Sequence, residues 1–430
     1  MVALHPRRRL VFGLFLVILA MPALAASAQE RIELNLIHCW GALRDPWVQD
    51  QIAIFNREYP NVKVNTKLAG CNDLQQEVII SIAAGAPFQV PMLRGDGMLE
   101  LARQGALMSL SPFLEREGIS ESIWFPREIE GVKYEGQVYG LPHRAGADMN
   151  NILLYNTQLF AESGLDPNKP PTTFEELDEM SRPLTRFNGD QITVVPFDFV
   201  DQGTYGPLAW LYAGGGSFLS PDGSEVTFNS PEALETINFV RDYIARHLRG
   251  PANIMGGEAA FANNQVAMLG RGTFSYASIL NRNPETPIAM ALRPKRSDSP
   301  WTGVYEPTLV FSIPKGVRES EVEVAWKLIY YLTIDEEAAG GFLLRQGRPS
   351  PIREYNFNPE YFEVNPYFGI VPTAMETAAP LPVPPGFTDV LTQFRQMWHS
   401  LERNHALVPT SEFQEAARVA NATLREHAAR

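Results

Sequence analysis

Cysteine is scarce: two in 430 residues, Cys39 and Cys71. Basic charge is scarce too. There are 36 Lys and Arg against 49 Asp and Glu, a net charge of −13. Binding nucleic acid requires a basic face to neutralise phosphates, so a nucleic-acid partner is not expected. Long apolar runs are missing. The most apolar, Leu10 to Ala20, has 11 residues, against about 20 for a membrane-crossing helix. No Gly-Lys dipeptide occurs, which excludes a P-loop. G-x-G-x-x-G, G-x-S-x-G and H-E-x-x-H are also absent. The seven histidines are scattered, none at ligand spacing to a cysteine or an acid cluster, so neither a metal nor a cofactor is expected. Asp198 and Asp201 form an acid pair of a kind that chance supplies in most chains. No residue is assigned a catalytic role.

Apolar residues make up 45% and charged residues 20%, an ordinary globular composition whose length favours two domains. Arg7, Arg8 and Arg9 precede the apolar run, and Ala26-Ser27-Ala28 follows it as a small-x-small cleavage site. Residues 1–28 therefore read as a cleavable signal peptide. No cysteine lies at the cleavage site, so a lipoprotein anchor is not expected. The mature chain, starting near Gln29, keeps 33 basic residues against 49 acids, a net charge of −16. A Gram-negative periplasm is the simplest destination, and in an exported protein two cysteines point to one bridge.

Alternation over residues 32–37 and 62–68 predicts strands. Between them Asp45-Pro46 opens a helix, Asp as N-cap, with Val48, Ile52, Phe55 and Tyr59 on one face. Asn72-Asp73 is placed to cap a second helix with Leu74, Val78 and Ile82 apolar, ending at Gly85. Strand–helix–strand–helix is the pattern of a parallel sheet covered by helices. Thr173 and Glu176 form a capping box, Ser230-Pro231 starts another helix, and residues 318–333 and 388–430 read as helical. Residues 349–385 read as loops with short elements.

Three stretches in order resemble the extracellular solute-binding protein family 1 of ABC importers, the group of maltose-binding and glycerol-phosphate-binding proteins. The first is Tyr139-Gly140-Leu141-Pro142 with Leu154-Tyr155-Asn156, Gly164-Leu165-Asp166 and Pro171-Thr172-Thr173-Phe174-Glu175-Glu176-Leu177. The second is Ala260-Phe261-Ala262-Asn263-Asn264-Gln265-Val266-Ala267-Met268-Leu269 with Gly272-Thr273-Phe274. The third is Ser312-Ile313-Pro314-Lys315-Gly316 with Ala325-Trp326-Lys327-Leu328-Ile329. One departure is that Gly85-Ala86-Pro87 is followed by Phe88, where the family commonly has a Pro-Asp pair.

The resemblance implies a two-lobed α/β periplasmic-binding-protein fold of type II, each lobe a sheet flanked by helices. Residues 29–147 and 309–355 would form the N-terminal lobe, and 148–308 and 356–430 the C-terminal lobe. A small-molecule carbohydrate or polyol would sit in the cleft and pass to inner-membrane permease subunits, with the protein a monomer. The glycerol-phosphate branch carries an arginine in a C-terminal loop. Pro380 to Phe394 has none, so a neutral ligand is expected over a phosphorylated one. The readings set against this are a secreted polysaccharide hydrolase or lyase and, among binding proteins, a glycerol-phosphate-like, polyamine or iron-complex ligand.

Sheets of this kind bind ligands beyond the carboxyl ends of their strands; the candidates come from such positions and from the stretches that carry the resemblance, which implies a ligand-facing aromatic at Phe274. Trp40 follows the first strand, to stack on a pyranose face or to pack as a half-buried core ring. Asp73 follows the second, as acceptor or helix cap. Arg94 and Asp96 form a polar island that suits vicinal hydroxyls, or a surface ion pair. His143, Arg144 and Asp148 follow the Gly-Leu-Pro signature near the first crossover, as cleft wall or solvated loop. Tyr205, Arg271, Phe274, Tyr305 with Glu306, and Arg348 complete the set, with core packing or helix capping as the alternatives. Cys39 and Cys71 each lie just past a predicted strand. In a flavodoxin-like order these strands are parallel neighbours, which brings the two residues within reach of a disulfide.

Overall fold

The computed structural model describes residues 31–41, 44–146, 150–199, 204–248, 256–404 and 410–429. The signal segment, Asp148 and Asp201 lie outside them. Strands β1 (Ile32–His38), β2 (Val62–Leu68) and β3 (Val90–Arg94) form where the alternation placed the first two. They pair in parallel, with β1 in the middle. Helix α1 (Asp45–Glu58) buries Val48, Ile52 and Phe55. Its N-cap is Arg44 rather than Asp45, which sits in the first turn and accepts a hydrogen bond from Gln49. Carboxylates in a first turn complement the helix dipole without capping it. Helix α2 (Leu74–Ala83) follows Asp73, whose side chain makes no capping bond.

Two further strands, β4 (Leu141–Pro142) and, much later in the chain, β10 (Leu309–Phe311), complete the first sheet in the order β2-β1-β3-β10-β4. Strand β10 runs antiparallel to both its neighbours. The second sheet takes β5 (Ile152–Asn156), β6 (Arg186–Asn188), β7 (Gln191–Asp198), β8 (Val266–Arg271) and β9 (Ile288–Leu292), in the order β9-β5-β8-β7-β6. Every residue of β5 is buried, as expected of a strand covered on both faces.

Each sheet has its own core. Around the first, Phe55, Leu93, Trp124 and Trp326 pack together, with Phe342 and Ile352 reaching it from beyond β10. Around the second, Trp210 stacks on Phe199 with centroids 5.1 Å apart. The capping box at Thr173 and Glu176 forms, and the Ser230 side chain caps the helix Pro231–His247. The last two helices, α3 (Phe387–Asn404) and α4 (Thr410–Ala428), bury Phe394, Trp398 and Phe413 in the second core. The fold is therefore α/β and two-lobed, a sheet flanked by helices in each lobe. Among the described residues no helix is long and apolar enough to cross a membrane.

Candidate functional site

Because β1, β2 and β3 are parallel, the segments leaving their carboxyl ends emerge at one edge. Those segments carry Cys39 and Trp40, Cys71 to Asp73, and Arg94 to Asp96. In the second sheet β7 and β8 are parallel, and Tyr205 and Phe274 follow their carboxyl ends. The two edges face one another. Arg94 donates to Thr204 Oγ1 (3.2 Å) and to the Tyr205 hydroxyl (2.8 Å) in the second lobe. The guanidinium is held for this by Asp96, through Nε to Oδ1 (3.2 Å) and Nη2 to Oδ2 (3.0 Å). Tyr205 is fully buried and donates to Asp96 Oδ2 (3.2 Å). Burial pushes its phenol pKa well up, so it stays a donor. A charged fork held by a carboxylate is a strong and directional donor.

A second group of contacts crosses the same seam. Arg348 lies 3.8 Å from the Phe274 ring centroid and 5.5 Å from that of Trp40. Arg44 stands 5.6 Å from Phe274 and Arg271 5.9 Å from it. Burial holds the Arg44 pKa below its usual value, Arg271 adding to the effect and Glu258 opposing it. Trp40, Phe274 and Arg348 are buried and packed on one another across the seam; ring faces and guanidinium forks are the groups that match the apolar C–H and hydroxyl surfaces of a sugar.

The disulfide ties this edge together. Cys39 and Cys71 are bonded, with Cα atoms 4.9 Å apart, because β1 and β2 pair in register up to His38 and Leu68. Asp73 is exposed and its carboxylate lies against Gly70. Its neighbour Asn72 instead lines a cavity of about 220 Å³ with Gln75, Arg94, Asp96, Thr392 and Arg395. Arg395 went unnoticed in the sequence, although Thr388, Leu391, Thr392 and Arg395 share a helical spacing on α3.

Three sequence candidates lie elsewhere. His143 does not face the seam: it is buried among the rings of Trp40, Phe311 and Phe342. Its Nδ1 lies 2.8 Å from the Leu332 carbonyl, so Nδ1 carries the proton. Arg144 and Tyr305 bind where the chain passes between the sheets. Arg144 donates to Glu306 (2.7 Å), and the Tyr305 hydroxyl donates to Glu128 (2.7 Å), which also accepts from the Gly146 amide (2.8 Å). The crossing segments touch so closely that a Cβ on Gly146 would lie 2.1 Å from the Glu306 carbonyl oxygen. Buried charges need partners. The sequence puts these polar residues at a cleft wall; in the structure Arg144 is paired by Glu306 of the opposite crossover, Tyr305 by Glu128 of the first lobe and His143 by the Leu332 carbonyl. Two cavities of about 590 and 400 Å³ share Arg127 and Tyr305 and are lined by none of Trp40, Asp73, Arg94 and Phe274.

Burial lowers the His143 pKa from 6.5 to about 4. The folded state keeps it neutral while the unfolded chain takes up a proton below 6.5. Stability from this group is therefore complete above pH 6.5 and is lost as pH falls towards 4, roughly 3 kcal/mol in all. His38 is shifted in the same direction by burial. His143→Gln, which keeps a donor for Leu332, is expected to flatten the dependence of melting temperature on pH between 6.5 and 4. An unchanged slope in calorimetric scans would count against His143 as its source.

Comparisons with known proteins agree with this fold. Over 175 residues the chain is 24% identical to an uncharacterised ABC transporter extracellular-binding protein of Pyrococcus horikoshii, a match covering 40% of this chain. The chain spans 39% of that relative's length. Among solved structures, an ABC transporter solute-binding protein of Thermotoga lettingae bound with α-D-tagatose superposes with TM-score 0.77. It is 23% identical, covering 91% of this chain and 100% of that one. The GacH receptor of Streptomyces glaucescens gives TM-score 0.78 at 14% identity, covering 93% and 100%. The maltose/maltodextrin-binding domain of Bdellovibrio bacteriovorus bound to maltotriose gives 0.75 at 20%, covering 93% and 100%. These likenesses are to the fold. Residues 41–339 match the family model of bacterial extracellular solute-binding proteins. With most of the chain inside that model and both sheets turning their strand ends to one seam, this protein belongs to the bacterial extracellular solute-binding proteins.

Proposed function

We propose that this protein is the substrate-binding component of an ABC importer, capturing a carbohydrate or polyol between its lobes and delivering it to a membrane permease. The observation that carries the reading is the seam itself, where rings from both lobes, Trp40 and Phe274, meet the guanidinium of Arg348. The proteins of similar fold from Thermotoga lettingae and Bdellovibrio bacteriovorus hold tagatose and maltotriose. Trp40, Arg94, Asp96, Tyr205, Arg271, Phe274 and Arg348 are the contacts proposed for the sugar. Arg144 and Tyr305 act at the crossovers, where opening must bend the chain. The lobes divide near residues 147, 308 and 355, the mature chain acts in the periplasm as a monomer, and no bond in the ligand is made or broken.

Opening and closing of two lobes about a hinge is a known mode of ligand capture. Purified protein is expected to bind one sugar per chain with micromolar affinity, about −8 kcal/mol, and to release it unchanged. X-ray scattering is expected to show a smaller radius of gyration on saturation. Sustained product formation by metal-free protein would refute the binding reading. Superimposable scattering curves with and without a tightly bound sugar would refute hinge closure.

A further inference from the structure

Arg395 lines the cavity of about 220 Å³ on the seam. Its Nε is shielded from solvent and has no hydrogen-bond partner, and among the described residues it makes no ion pair. Burial holds its pKa below the usual arginine value, and Arg94 pushes in the same direction, against weaker support from Tyr205 and Glu402. Asp96 is the one carboxylate among the described residues lining this cavity, and it is taken up by the fork of Arg94 and by Tyr205. Thr388 and Thr392 bring the first turns of the 18-residue helix α3 to the same wall, and a helix amino terminus is electropositive. So a half-buried cation faces a second cation and a positive helix end, inside a chain whose net charge is −13. A general basic surface does not account for it.

We infer that the ligand carries an anionic group, a carboxylate or a phosphate on the sugar or polyol, and that Arg395 receives it in this cavity. The inference deepens the carbohydrate reading above and rests on it. A neutral hydroxyl brings no charge and leaves that of Arg395 uncompensated. A carboxylate or phosphate matches the guanidinium fork with two acceptors and offsets the repulsion between Arg94 and Arg395. The sequence pointed to a neutral ligand because Pro380 to Phe394 lacks arginine, but the helix carries the relevant side chain one residue further on. Arg395 stands one helical turn beyond Leu391, on the wall that Thr388, Leu391 and Thr392 also form.

The test uses matched pairs: glucose with glucuronate and glucose 6-phosphate, galactose with galacturonate, and glycerol with glycerol 3-phosphate. Binding is measured by calorimetry on the full mature chain at low and at 0.5 M salt. One acidic member is expected to bind at least about ten-fold more tightly than its neutral partner, in line with a charge-assisted hydrogen bond, and to lose part of that margin in high salt. Arg395→Gln is expected to bring the ratio towards one, and Arg395→Lys, which keeps charge without the fork, to retain only part of it. A uronate preference identifies a carboxylate and a phosphate-ester preference identifies a phosphate. Binding by neutral members alone, or an acidic preference unchanged in Arg395→Gln, overturns the inference and leaves the carbohydrate reading standing. No binding by any member to protein that melts cooperatively counts against both.

Discussion

Replacing Cys71 by alanine is expected to lower the melting temperature on the order of 10 °C, from a loss of roughly 3–4 kcal/mol. The bond closes a loop between residues 32 apart in sequence, and opening it frees α1 and β2 in the unfolded chain. The loss is expected to reach function as well. Trp40 is joined to Cys39, and Asn72 to Cys71, so the bridge fixes two segments on the site edge. Sugar affinity should therefore fall together with stability, rather than stability alone. Differential scanning calorimetry and binding titrations on Cys71→Ala and on reduced wild-type protein measure both. A melting temperature within a degree or two of the bridged protein would refute the stabilising role. Full affinity in a destabilised variant would refute the link to the site.

Arg94→Ala is expected to weaken sugar binding about 100-fold, since hydrogen bonds to charged groups contribute about 1.5–3 kcal/mol each. Arg94 donates across the seam to Thr204 and Tyr205, contacts that join the two lobes. The variant also leaves Asp96, 3% exposed, as a buried carboxylate without its cation. A further loss of stability of roughly 3 kcal/mol follows. Tyr205→Phe separates the two effects. It keeps the ring and removes the hydroxyl that accepts from Arg94 and donates to Asp96. Its affinity should fall about ten-fold with little change in melting temperature. Scattering on each variant with saturating sugar reads whether the closed shape is still reached. Unchanged affinity in Arg94→Ala would remove this contact from the closing mechanism.

The sequence by itself determined the local structure. Alternation in 32–37 and 62–68, the apolar face of Val48, Ile52 and Phe55, and the capping box at Thr173 and Glu176 reappear in the structure, because each rests on neighbours a few residues apart. The pairing of Cys39 with Cys71 was also legible, since parallel strands of similar length end at one edge. What only the tertiary structure decided is which polar side chains turn to the seam. His143 and Arg144 follow β4, and Tyr305 follows the short strand Gly303–Val304, as strand-end residues do. Their side chains are taken by a backbone carbonyl, by Glu306 and by Glu128, from segments 189, 162 and 177 residues away. Arg395 has the converse history. It belongs to a helix that packs on the second lobe through Phe394 and Trp398, yet it lines a cavity with Asn72 and Arg94 of the first. A buried charge is settled by whatever the fold brings beside it, and for these residues the partner comes from another part of the chain.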